Sequence, residues 1–586
     1  MTLARRAPGA RLLLAVALVA TLAVTAGPAQ GASVATLYVD NANPSASDAN
    51  PGTASQPLRT IQRAVQMADA NQLNGVGTTV LIGPGSYRES VQFATDRPQT
   101  APIVLRGAAG GGTVVSGSDA WNGGWVAQGG GVYRRAWTDN WGLAPSPAGW
   151  NAPDIGRRRE MVFANGGLLR QHLSAAELNA SPGGFHVDEA TDSLYVKLAG
   201  AADPNTASME VGRRSRLLFA EKRHNITLQQ LTFQHAVSAL QYEAVGFPGS
   251  SDILVEDTRF VWNNWIGLNF YGFEAPLSVD RVTLRRVDAS NNGSTGVSTY
   301  RVRTFNVHDS TTNGNAWRVA WASMWFLHDG GMKMLKTVDW VVDGHRAVDN
   351  HGMGLWHDVG GVNGTIRNTV ARGNGTYGVF LEANPGPILV ENTKVCANRT
   401  IGLVVSQSEY TTLRNNQVFA NATVNGQVTF TGVDGGRWID GTYFHNRNAT
   451  MTGNTIVGDA AGVNVVENTL DNAGWSIFAG SLNASGNTYW SPVRAEVFNW
   501  HTAGATWRGN YDFTAWKAAT GQDATSTFGP PAVALTCDLQ PPVPVPPTTT
   551  TTTVAPTTTV APPATTTTVP GAATTTTIKQ RGKKPR

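Results

Sequence analysis

The sequence predicts an all-β chain that winds into a parallel β-helix with about 24 residues per coil. Glycine-led segments recur at nearly constant intervals, and a sustained period of this size is typical of a solenoid in which each repeat forms one coil. The repeats are rich in Val, Ile, Leu and Asn and contain no heptads, so we expect each coil to consist of strands. The composition agrees, because 64 glycines and 18 tryptophans accompany only 15% charged residues.

The repeat is clearest between residues 331 and 428, where successive leading glycines lie 23 or 24 residues apart. The aligned segments are Gly331-Met332-Lys333-Met334-Leu335, Gly354-Leu355-Trp356-His357-Asp358, Gly378-Val379-Phe380-Leu381-Glu382, Gly402-Leu403-Val404-Val405-Ser406 and Gly426-Gln427-Val428. Successive side chains of a strand point to opposite faces, so the mostly apolar first and third residues after each glycine are predicted to point inward. The second and fourth residues then point outward. This register places Asp358 and Glu382 above one another on adjacent coils, with their carboxyl groups about 5 Å apart.

Two stacked carboxylates need an explanation, because like charges opposed across strands destabilise a sheet. Retaining glycoside hydrolysis uses such a pair, with carboxyl groups about 5–5.5 Å apart that act as nucleophile and general acid/base. Their mutual repulsion would keep one group protonated as the acid. We expect substrate binding by two exposed aromatic residues on the same face, Trp356 and Phe380, and by Lys333 one coil earlier. The alternative is that both acids are solvated surface groups without a function.

The N-terminal residues 1–31 have the features of a secretory signal peptide. Three arginines precede an apolar run from Leu12 to Val24, and small residues follow. Because this run is too short to span a membrane, we expect a secreted protein, extracellular or cell-wall associated, without a membrane span in the mature chain. The formal net charge of +4 comes from basic residues at the two chain ends, so the body between them is slightly acidic and nucleic acid is not an expected partner.

The first coils and an N-terminal capping helix are predicted within residues 36–119. Apolar residues at positions 61, 64, 65 and 68 share one face of a short helix, which would cover the open end of the β-helix. From 120 to 215 the coil pattern breaks, and hairpin-like pieces at 185–187 and 194–196 predict a β-rich insert. The main β-helix and a C-terminal cap are then predicted for residues 216–540.

Asparagines recur at matching positions of the coils and predict internal ladders of stacked amides. One set stands just before the glycine turns; its members are Asn263, Asn292, Asn350, Asn374 and Asn398. A second set repeats every 24 residues and consists of Asn368, Asn392 and Asn416.

Three tryptophans, Trp317, Trp321 and Trp325, interrupt the coils with a spacing that places them on one face of a helix. One interpretation packs them on the flank of the solenoid; the other makes Trp321 and Trp325 stacking platforms for sugar rings. The two cysteines, Cys396 and Cys537, leave open a disulfide between the coils and a C-terminal strap, because geometry decides such a pairing.

Residues 541–586 are dominated by Thr, Pro, Val and Ala. This composition cannot bury a core and predicts a disordered stalk. Its basic tip, from Lys579 to Arg586, is a predicted contact for an anionic cell-wall polymer.

Several stretches resemble the start of right-handed parallel β-helix carbohydrate-active proteins of the pectate-lyase-like superfamily. They are Tyr38-Val39-Asp40, Pro51-Gly52-Thr53, Pro57-Leu58-Arg59-Thr60-Ile61-Gln62-Arg63-Ala64 and Pro84-Gly85-Ser86-Tyr87-Arg88-Glu89. Two further segments resemble the nucleophile and acid/base segments of the β-helix retaining β-xylosidases, glycoside hydrolase family 120; they are Gly354-Leu355-Trp356-His357-Asp358 and Phe380-Leu381-Glu382-Ala383-Asn384-Pro385-Gly386-Pro387.

The second resemblance implies that Asp358 is the nucleophile and Glu382 the general acid/base. It also implies that the segment 120–215 is the β-rich insert of that family. His357 stands where the family tends to show another aromatic residue, and Pro385 stands where a polar residue is usual. In the family these positions would shape the sugar subsite, so the resemblance leaves the choice of sugar open.

The sequence therefore predicts a secreted retaining glycosidase acting on polysaccharide or oligosaccharide, with no cofactor and no metal. A polysaccharide lyase acting on uronate polymers stays open as an alternative, with Lys333 near the site and cations at Arg301, Arg303 and Arg318. A non-catalytic glycan-binding surface protein is the third class. A metal site formed by His351, His357 and Asp358 is disfavoured, because adjacent residues of a strand point to opposite faces.

Overall fold

Three long sheets of parallel strands run along one axis, and the chain visits them in turn, which makes the molecule a parallel β-helix as predicted. The computed structural model describes residues 34–273, 279–324, 329–421, 425–432, 437–439, 441–501 and 508–537. The signal-like segment 1–31, Trp325 and the stalk 541–586 lie outside the described residues.

Among the described residues, sheet 1 has thirteen strands that follow one another in chain order. They are Val34–Val39, Gly77–Ile82, Ile103–Arg106, His224–Gln229, Ser251–Glu256, Val279–Arg285, Val302–His308, Val338–Asp343, Val362–Arg367, Ile388–Glu391, Thr411–Arg414, Thr450–Thr452 and Asn483–Ser485.

Sheet 2 also has thirteen strands and carries the glycine-led repeats. They are Val91–Gln92, Leu218–Phe219, Glu243–Gly246, Ile266–Tyr271, Thr295–Tyr300, Gly330–Leu335, Met353–Asp358, Tyr377–Glu382, Ile401–Ser406, Asn425–Thr431, Val463–Asn468, Phe498–Trp500 and Gly509–Tyr511. The last of these pairs antiparallel and ends the sheet.

Sheet 3 consists of two runs of short strands that single β-bridges at Asp288 and Thr311 connect. The first run is Gly85–Tyr87, Thr113–Ser116, Leu231–Gln234 and Arg259–Val261. The second run is Arg346–Val348, Val370–Arg372, Lys394–Cys396, Gln417–Phe419, Thr455–Val457, Thr488–Trp490 and Thr527–Phe528.

The side chains that point inward from the three sheets form one continuous apolar core. The helix Ile61–Leu73 belongs to it, with Ile61, Ala64, Val65 and Ala68 buried as its periodicity predicts. Thr60 caps this helix by accepting a hydrogen bond from the Arg63 amide at 3.2 Å. The remaining helices are Asp154–Arg157, Ala175–Ala180, Trp317–Trp321, Asn472–Ser481 and Phe513–Thr520, with short 3-10 turns at Ala199–Ala201 and Pro204–Thr206.

Two small sheets lie between Ser118 and Gly212, where the coil pattern of the sequence breaks. One has the strands Ser118–Ala120, Val162–Ala164, Gly167–Leu168 and Met209–Gly212; the other has Val126–Gly129, Val132–Ala136, Gln171–His172, Gly184–Asp188 and Ser193–Lys197. The expected hairpin is present, because Phe185 pairs with Val196 and Val187 with Leu194 in antiparallel register. A further hairpin joins Arg437–Ile439 to Thr442–Phe444.

The first predicted asparagine ladder is confirmed and is longer than expected. Each side-chain Nδ2 donates to the Oδ1 of the next member at 2.8–3.1 Å. The members are Asn263, Asn292, Asn315, Asn350, Asn374, Asn398 and Asn421. Because all of them are buried, the ladder satisfies amides that would otherwise lack partners inside the fold.

The second predicted ladder is wrong for two of its three members. Asn368 and Asn392 are exposed and have φ of 51° and 48°, a left-handed conformation that asparagine tolerates better than most residues. Their recurrence therefore marks a turn on the surface. Asn416 is buried and does form a ladder, with Asn454 and Asn487.

A disulfide joins Cys396 to Cys537 across 141 residues of sequence. Lys394 adds a hydrogen bond from its Nζ to the Thr536 carbonyl at 3.2 Å. The strap that follows the last coil is therefore tied to sheet 3 in the middle of the repeats.

Candidate functional site

Asp358 and Glu382 are direct partners in the parallel register of sheet 2, each as the last residue of its strand. Their neighbours His357 and Leu381 are buried in the interior, so both carboxyl side chains leave the outer face of the sheet. The side chain of Asp358 is 15% exposed. The structure thus brings the two acids together on adjacent coils, about 4.8 Å apart along the axis.

Lys333 reaches Asp358 from the preceding coil. Its Nζ lies 3.0 Å from the Asp358 Oδ2 and 3.4 Å from the centroid of the Trp356 ring. The lysine side chain is only 8% exposed, so this is a shielded ion pair with a cation–π contact beneath it. These contacts engage the Lys333 ammonium with Asp358 and with the Trp356 ring.

Trp356 is buried, at 6% exposure, contrary to the expectation of an exposed platform. Lys333 covers one side of its ring, and Phe380 on the next coil stacks on it at a centroid distance of 5.5 Å and an angle of 22°. Rings at the same position of adjacent coils lie close enough to stack, and this closes the face that a sugar would need. Phe380 is half-buried and also contacts the ring edge of Tyr377.

Two further titratable groups have shifted pKa values near this site, Asp329 close to Lys333 and Tyr377 close to Glu382, and the sequence pattern gave no signal for either. Burial raises the pKa of Asp329 to about 7, although the charge of Lys333 opposes that shift. Asp329 is 2% exposed and directly precedes the strand that carries Lys333. Burial also raises the pKa of Tyr377, with a smaller contribution from the charge of Glu382, so its phenol stays protonated at neutral pH.

His357 points inward, as predicted, and is not a partner of Asp358 in a metal site. Its Nδ1 lies 3.0 Å from the Asn384 Oδ1 and its Nε2 lies 3.2 Å from the Thr337 carbonyl oxygen. Burial lowers the pKa of His357 to about 4, so the ring is neutral at physiological pH. Within the described ranges, no group of three or more His, Cys, Asp and Glu side chains is placed to hold a metal ion.

Trp321 lies at the end of the helix Trp317–Trp321 and packs against the inserted segment. Its ring contacts Trp317 at 4.6 Å and lies beneath the guanidinium of Arg170 at 4.3 Å. These contacts favour the packing interpretation of this tryptophan over a sugar platform.

Arg318 is unsuited to the role that the lyase alternative gave it. It is fully buried, and its guanidinium donates to the Asn264 Oδ1, the Gln171 Oε1 and the Glu160 carbonyl oxygen. Burial lowers the pKa of Arg318 to about 9. A side chain in this position joins the insert to the coils and does not face a substrate.

A cavity of about 300 Å³ opens on the outer face of sheet 2 beside Lys333. Leu335, one of its lining residues, is the register partner of Asp358. The cavity therefore ends at the coil next to the carboxylates.

Comparison with known proteins identifies the handedness of the solenoid. The family model of the right handed β-helix region matches residues 219–418. The solved structure of XylC with xylose superimposes with a TM-score of 0.60 at 13% sequence identity, covering 81% of this chain and 88% of XylC. The chain is a right-handed parallel β-helix.

Two other relatives are more distant or cover less of the chain. The A-module of the mannuronan C-5 epimerase AlgE6 from Azotobacter vinelandii is 18% identical, covers 80% of this chain and 94% of that module, and has a TM-score of 0.47. The uncharacterized protein YwoF of Bacillus subtilis (strain 168) is 25% identical over 245 residues, which are 41% of this chain and 44% of YwoF. The chain thus matches less than half the length of YwoF. In the described part of the chain, helices of the length and apolarity that cross a membrane are absent.

Proposed function

We propose that this chain is a secreted retaining glycoside hydrolase that cleaves polysaccharide or oligosaccharide, with Asp358 as nucleophile and Glu382 as general acid/base. The observation that carries the proposal is the register of the two acids on one outer face. Adjacent strands lie about 4.8 Å apart, close to the separation of about 5–5.5 Å at which retaining enzymes hold their carboxyl groups. Inverting enzymes need about 6.5–9.5 Å, because a water molecule must fit between acid and base.

The surroundings of the two acids support different roles for them. The ammonium of Lys333, 3.0 Å from the Asp358 Oδ2, stabilises negative charge on that oxygen, and a nucleophile must be a carboxylate. Glu382 lies on the coil after Asp358, one coil further from the Lys333 ammonium. The proposal assigns to Glu382 the proton that passes to the leaving oxygen of the departing sugar.

The reaction then proceeds in two displacements. Asp358 attacks the anomeric carbon while Glu382 protonates the glycosidic oxygen, so the glycosidic bond breaks and a covalent glycosyl ester forms. Glu382, now a carboxylate, takes a proton from water as that water attacks the ester, which releases the sugar and regenerates both groups.

Xylose-containing substrates are the first choice for a test. XylC, whose fold the chain shares, was solved with xylose, and the segments around Asp358 and Glu382 resemble those of β-xylosidases. The signal-like segment 1–31 supports secretion, and the basic tip of residues 579–586 supports attachment to anionic wall polymers.

The decisive experiment follows the stereochemistry of the product. Purified protein is incubated with a panel of aryl glycosides, including an aryl β-xyloside, and phenol release is measured alongside the anomeric proton signal of the first-formed sugar. We expect phenol release with retention of configuration. An inverted product contradicts the proposed carboxylate roles, and an unsaturated uronate formed from a polyuronate would establish the lyase alternative instead.

A further inference from the structure

A small cavity of about 220 Å³ lies at the junction between the insert and the coils. Its lining residues are Arg159, Ser215, Arg216, Ala239 and Tyr242. Arg159 belongs to the insert, whereas the other four residues lead into two adjacent strands of sheet 2, Leu218–Phe219 and Glu243–Gly246. The second of these strands lies four strands before the one that carries Asp358, a distance of about 19 Å along the axis. The cavity is therefore a site separate from the carboxylate pair.

Arg159 differs from the arginines around it because it lacks an acidic partner. The neighbouring arginines form ion pairs: Arg157 with Asp154, Arg158 with Glu160, Arg213 with Asp139, Arg214 with Asp119 and Arg216 with Glu243. Arg159 is half-buried, and among the residues that the structure describes its guanidinium has no hydrogen-bond acceptor and no ion-pair partner. Burial lowers the pKa of Arg159, although the charge of Glu160 opposes that shift. An anion bound in the cavity would compensate this partly desolvated charge.

Aromatic rings hold both guanidinium groups of the cavity in place. The Cζ atom of Arg159 lies 5.1 Å from the centroid of the Trp141 ring. The Cζ atom of Arg216 lies 4.3 Å from the centroid of the Phe219 ring and 5.2 Å from that of the Tyr242 ring. A cation–π contact occupies the flat face of a guanidinium and leaves the N–H groups at its edge available. Such an edge can donate two parallel hydrogen bonds to the two oxygens of a carboxylate.

The charges that line the cavity favour a ligand with a single negative charge. The Nε atom of Arg216 lies 3.0 Å from the Glu243 Oε1, so Glu243 compensates this guanidinium and the charge of Arg159 remains. A carboxylate brings one negative charge and matches it. A phosphate group brings about two at neutral pH and would exceed it.

The walls and the size of the cavity favour a small organic molecule. Tyr242 is 53% exposed, so its ring can contact the carbon skeleton of a ligand, and Ala239 adds apolar surface. Pockets for drug-sized ligands usually measure about 300–1,000 Å³, so a cavity of about 220 Å³ has room for roughly one ring.

We infer that this cavity binds the carboxylate group of a small organic anion, with Arg159 as the residue that determines its affinity. Two sources of such a group fit the cavity, a free organic acid and a uronic acid of a sugar chain. The inference goes beyond the proposed function and does not rest on it, because binding at this junction requires neither Asp358 nor Glu382.

The experiment is isothermal titration calorimetry with the full chain at constant ionic strength. The probes are sodium glucuronate, sodium benzoate, the neutral methyl β-glucoside and sodium phosphate. We expect the two carboxylates to bind and the neutral glucoside to bind at least about tenfold more weakly. Arg159→Gln should weaken the binding of both carboxylates by at least about tenfold, because it removes the charge that the carboxylate compensates.

Arg170→Gln is the matched control, because Arg170 is another arginine of the insert that contacts a tryptophan ring, that of Trp321 at 4.3 Å, but does not line this cavity. It should leave the affinities unchanged. Saturating glucuronate should raise the melting temperature of the wild type and of Arg170→Gln and leave that of Arg159→Gln unchanged. Arg159→Lys keeps the charge without the paired donors, so it should bind with intermediate affinity, and it replaces Arg159→Gln if that variant does not fold.

Four results overturn the inference. They are the absence of binding of both carboxylates to the wild type, equal losses in Arg159→Gln and Arg170→Gln, and tighter binding of the neutral glucoside or of phosphate than of either carboxylate. Tighter binding of glucuronate than of benzoate identifies a sugar acid as the source of the carboxylate, and the opposite order identifies a free aromatic acid; both results agree with the inference. Because the titration does not depend on turnover, it stands or fails independently of glycosidase activity.

Discussion

On the outer faces of sheets 1 and 2, acidic residues stand at the ends of strands, but their register partners on the next coil differ in charge. On sheet 1 an acid that ends its strand lies opposite an arginine that ends the strand of the next coil; the pairs are Asp343 with Arg367, Glu256 with Arg285 and Glu391 with Arg414. On sheet 2 the acid at the end of its strand, Asp358, lies opposite a second acid, Glu382.

The difference shows that the solenoid does not require two acids to be opposed at the ends of its strands. Three coils of sheet 1 neutralise their terminal acid, and the arginines concerned are 43–48% exposed, so each pair is worth only about 0–1 kcal/mol. Sheet 2 places two acidic side chains together at this position instead. Because two like charges opposed across strands would destabilise a sheet, this pair is the feature that the proposed mechanism explains.

Neutralising one acid on each sheet is the strongest way to test this comparison. Asp358→Asn and Glu382→Gln should each lower kcat by at least about a thousandfold, since in the proposed mechanism each removes a group that forms or breaks a bond. The matched substitutions Asp343→Asn and Glu391→Gln on sheet 1 should leave activity on aryl glycosides unchanged. Azide should partly restore turnover in Glu382→Ala. Equal activity of the sheet 1 and sheet 2 variants would contradict the proposal that the acids of sheet 2 are catalytic and those of sheet 1 are not.

Removing the cation beside Asp358 on sheet 2 can be compared with removing the cation beside Asp343 on sheet 1. Lys333→Met keeps the side chain out to Cε but leaves Asp358 without its ion pair. We expect kcat/KM on aryl glycosides to fall by about 10- to 100-fold, because the ammonium no longer lies beside the carboxylate that attacks the sugar in the proposed mechanism. Arg367→Met, which removes the exposed cation opposite Asp343, is the control and should leave kcat/KM unchanged. An unchanged kcat/KM in Lys333→Met argues against this role of Lys333.

Asp329 extends the comparison to an acid that is buried instead of paired. Its pKa is about 7 in the folded chain and 3.8 ordinarily, so between these values the folded chain holds a proton that the unfolded chain has released. The free energy of unfolding should therefore fall as pH rises through this window, and the full penalty should apply above it. Asp329→Asn should stabilise the protein by about 2–4 kcal/mol at about pH 8 and by almost nothing at about pH 4.

Thermal unfolding across this pH range measures the effect of Asp329→Asn. Asp343→Asn, at an acid that is paired with Arg367 on sheet 1, is the matched control for replacing an aspartate by an asparagine. A constant difference between Asp329→Asn and the wild type at all pH values would mean that Asp329 does not titrate in this window.

The smallest expected effects concern stability on the two outer faces. Arg367→Ala should cost less than about 1 kcal/mol, because the pair with Asp343 is largely exposed, and added salt should reduce the cost. Glu382→Gln should also change the free energy of unfolding by less than about 1 kcal/mol, because the amide keeps the shape of the neutral acid that the proposed mechanism requires, and added salt should not alter this change. Denaturant titrations at low and high salt measure both. A large, salt-dependent gain in stability for Glu382→Gln would mean that a charged Glu382 repels Asp358 in the resting protein.

The periodic features of the molecule were predictable from the sequence. The register of Asp358 and Glu382, the capping helix and the long ladder through Asn350 and Asn374 all follow from residue spacing, because a coil of fixed length brings equivalent positions together.

Features that depend on how individual side chains turn were not predictable. Spacing alone cannot tell a ladder position from a turn position, and Asn368 repeats as regularly as Asn374 although it lies outside. The contact of Lys333 with Asp358 runs diagonally between coils, so it depends on the path of the lysine side chain. The burial of Trp356 follows from that same path, and the burial of Asp329 depends on neighbours that the repeat does not specify.

The disulfide between Cys396 and Cys537 changes how the molecule would respond to mechanical load. A pulling force applied to the chain beyond Cys537 passes through the covalent bridge to the coil of Cys396 and bypasses the 141-residue segment that the bridge encloses. The final coils are then not peeled off one at a time from the free end. Rupture at this point requires that the hydrogen bonds around Cys396 be sheared together.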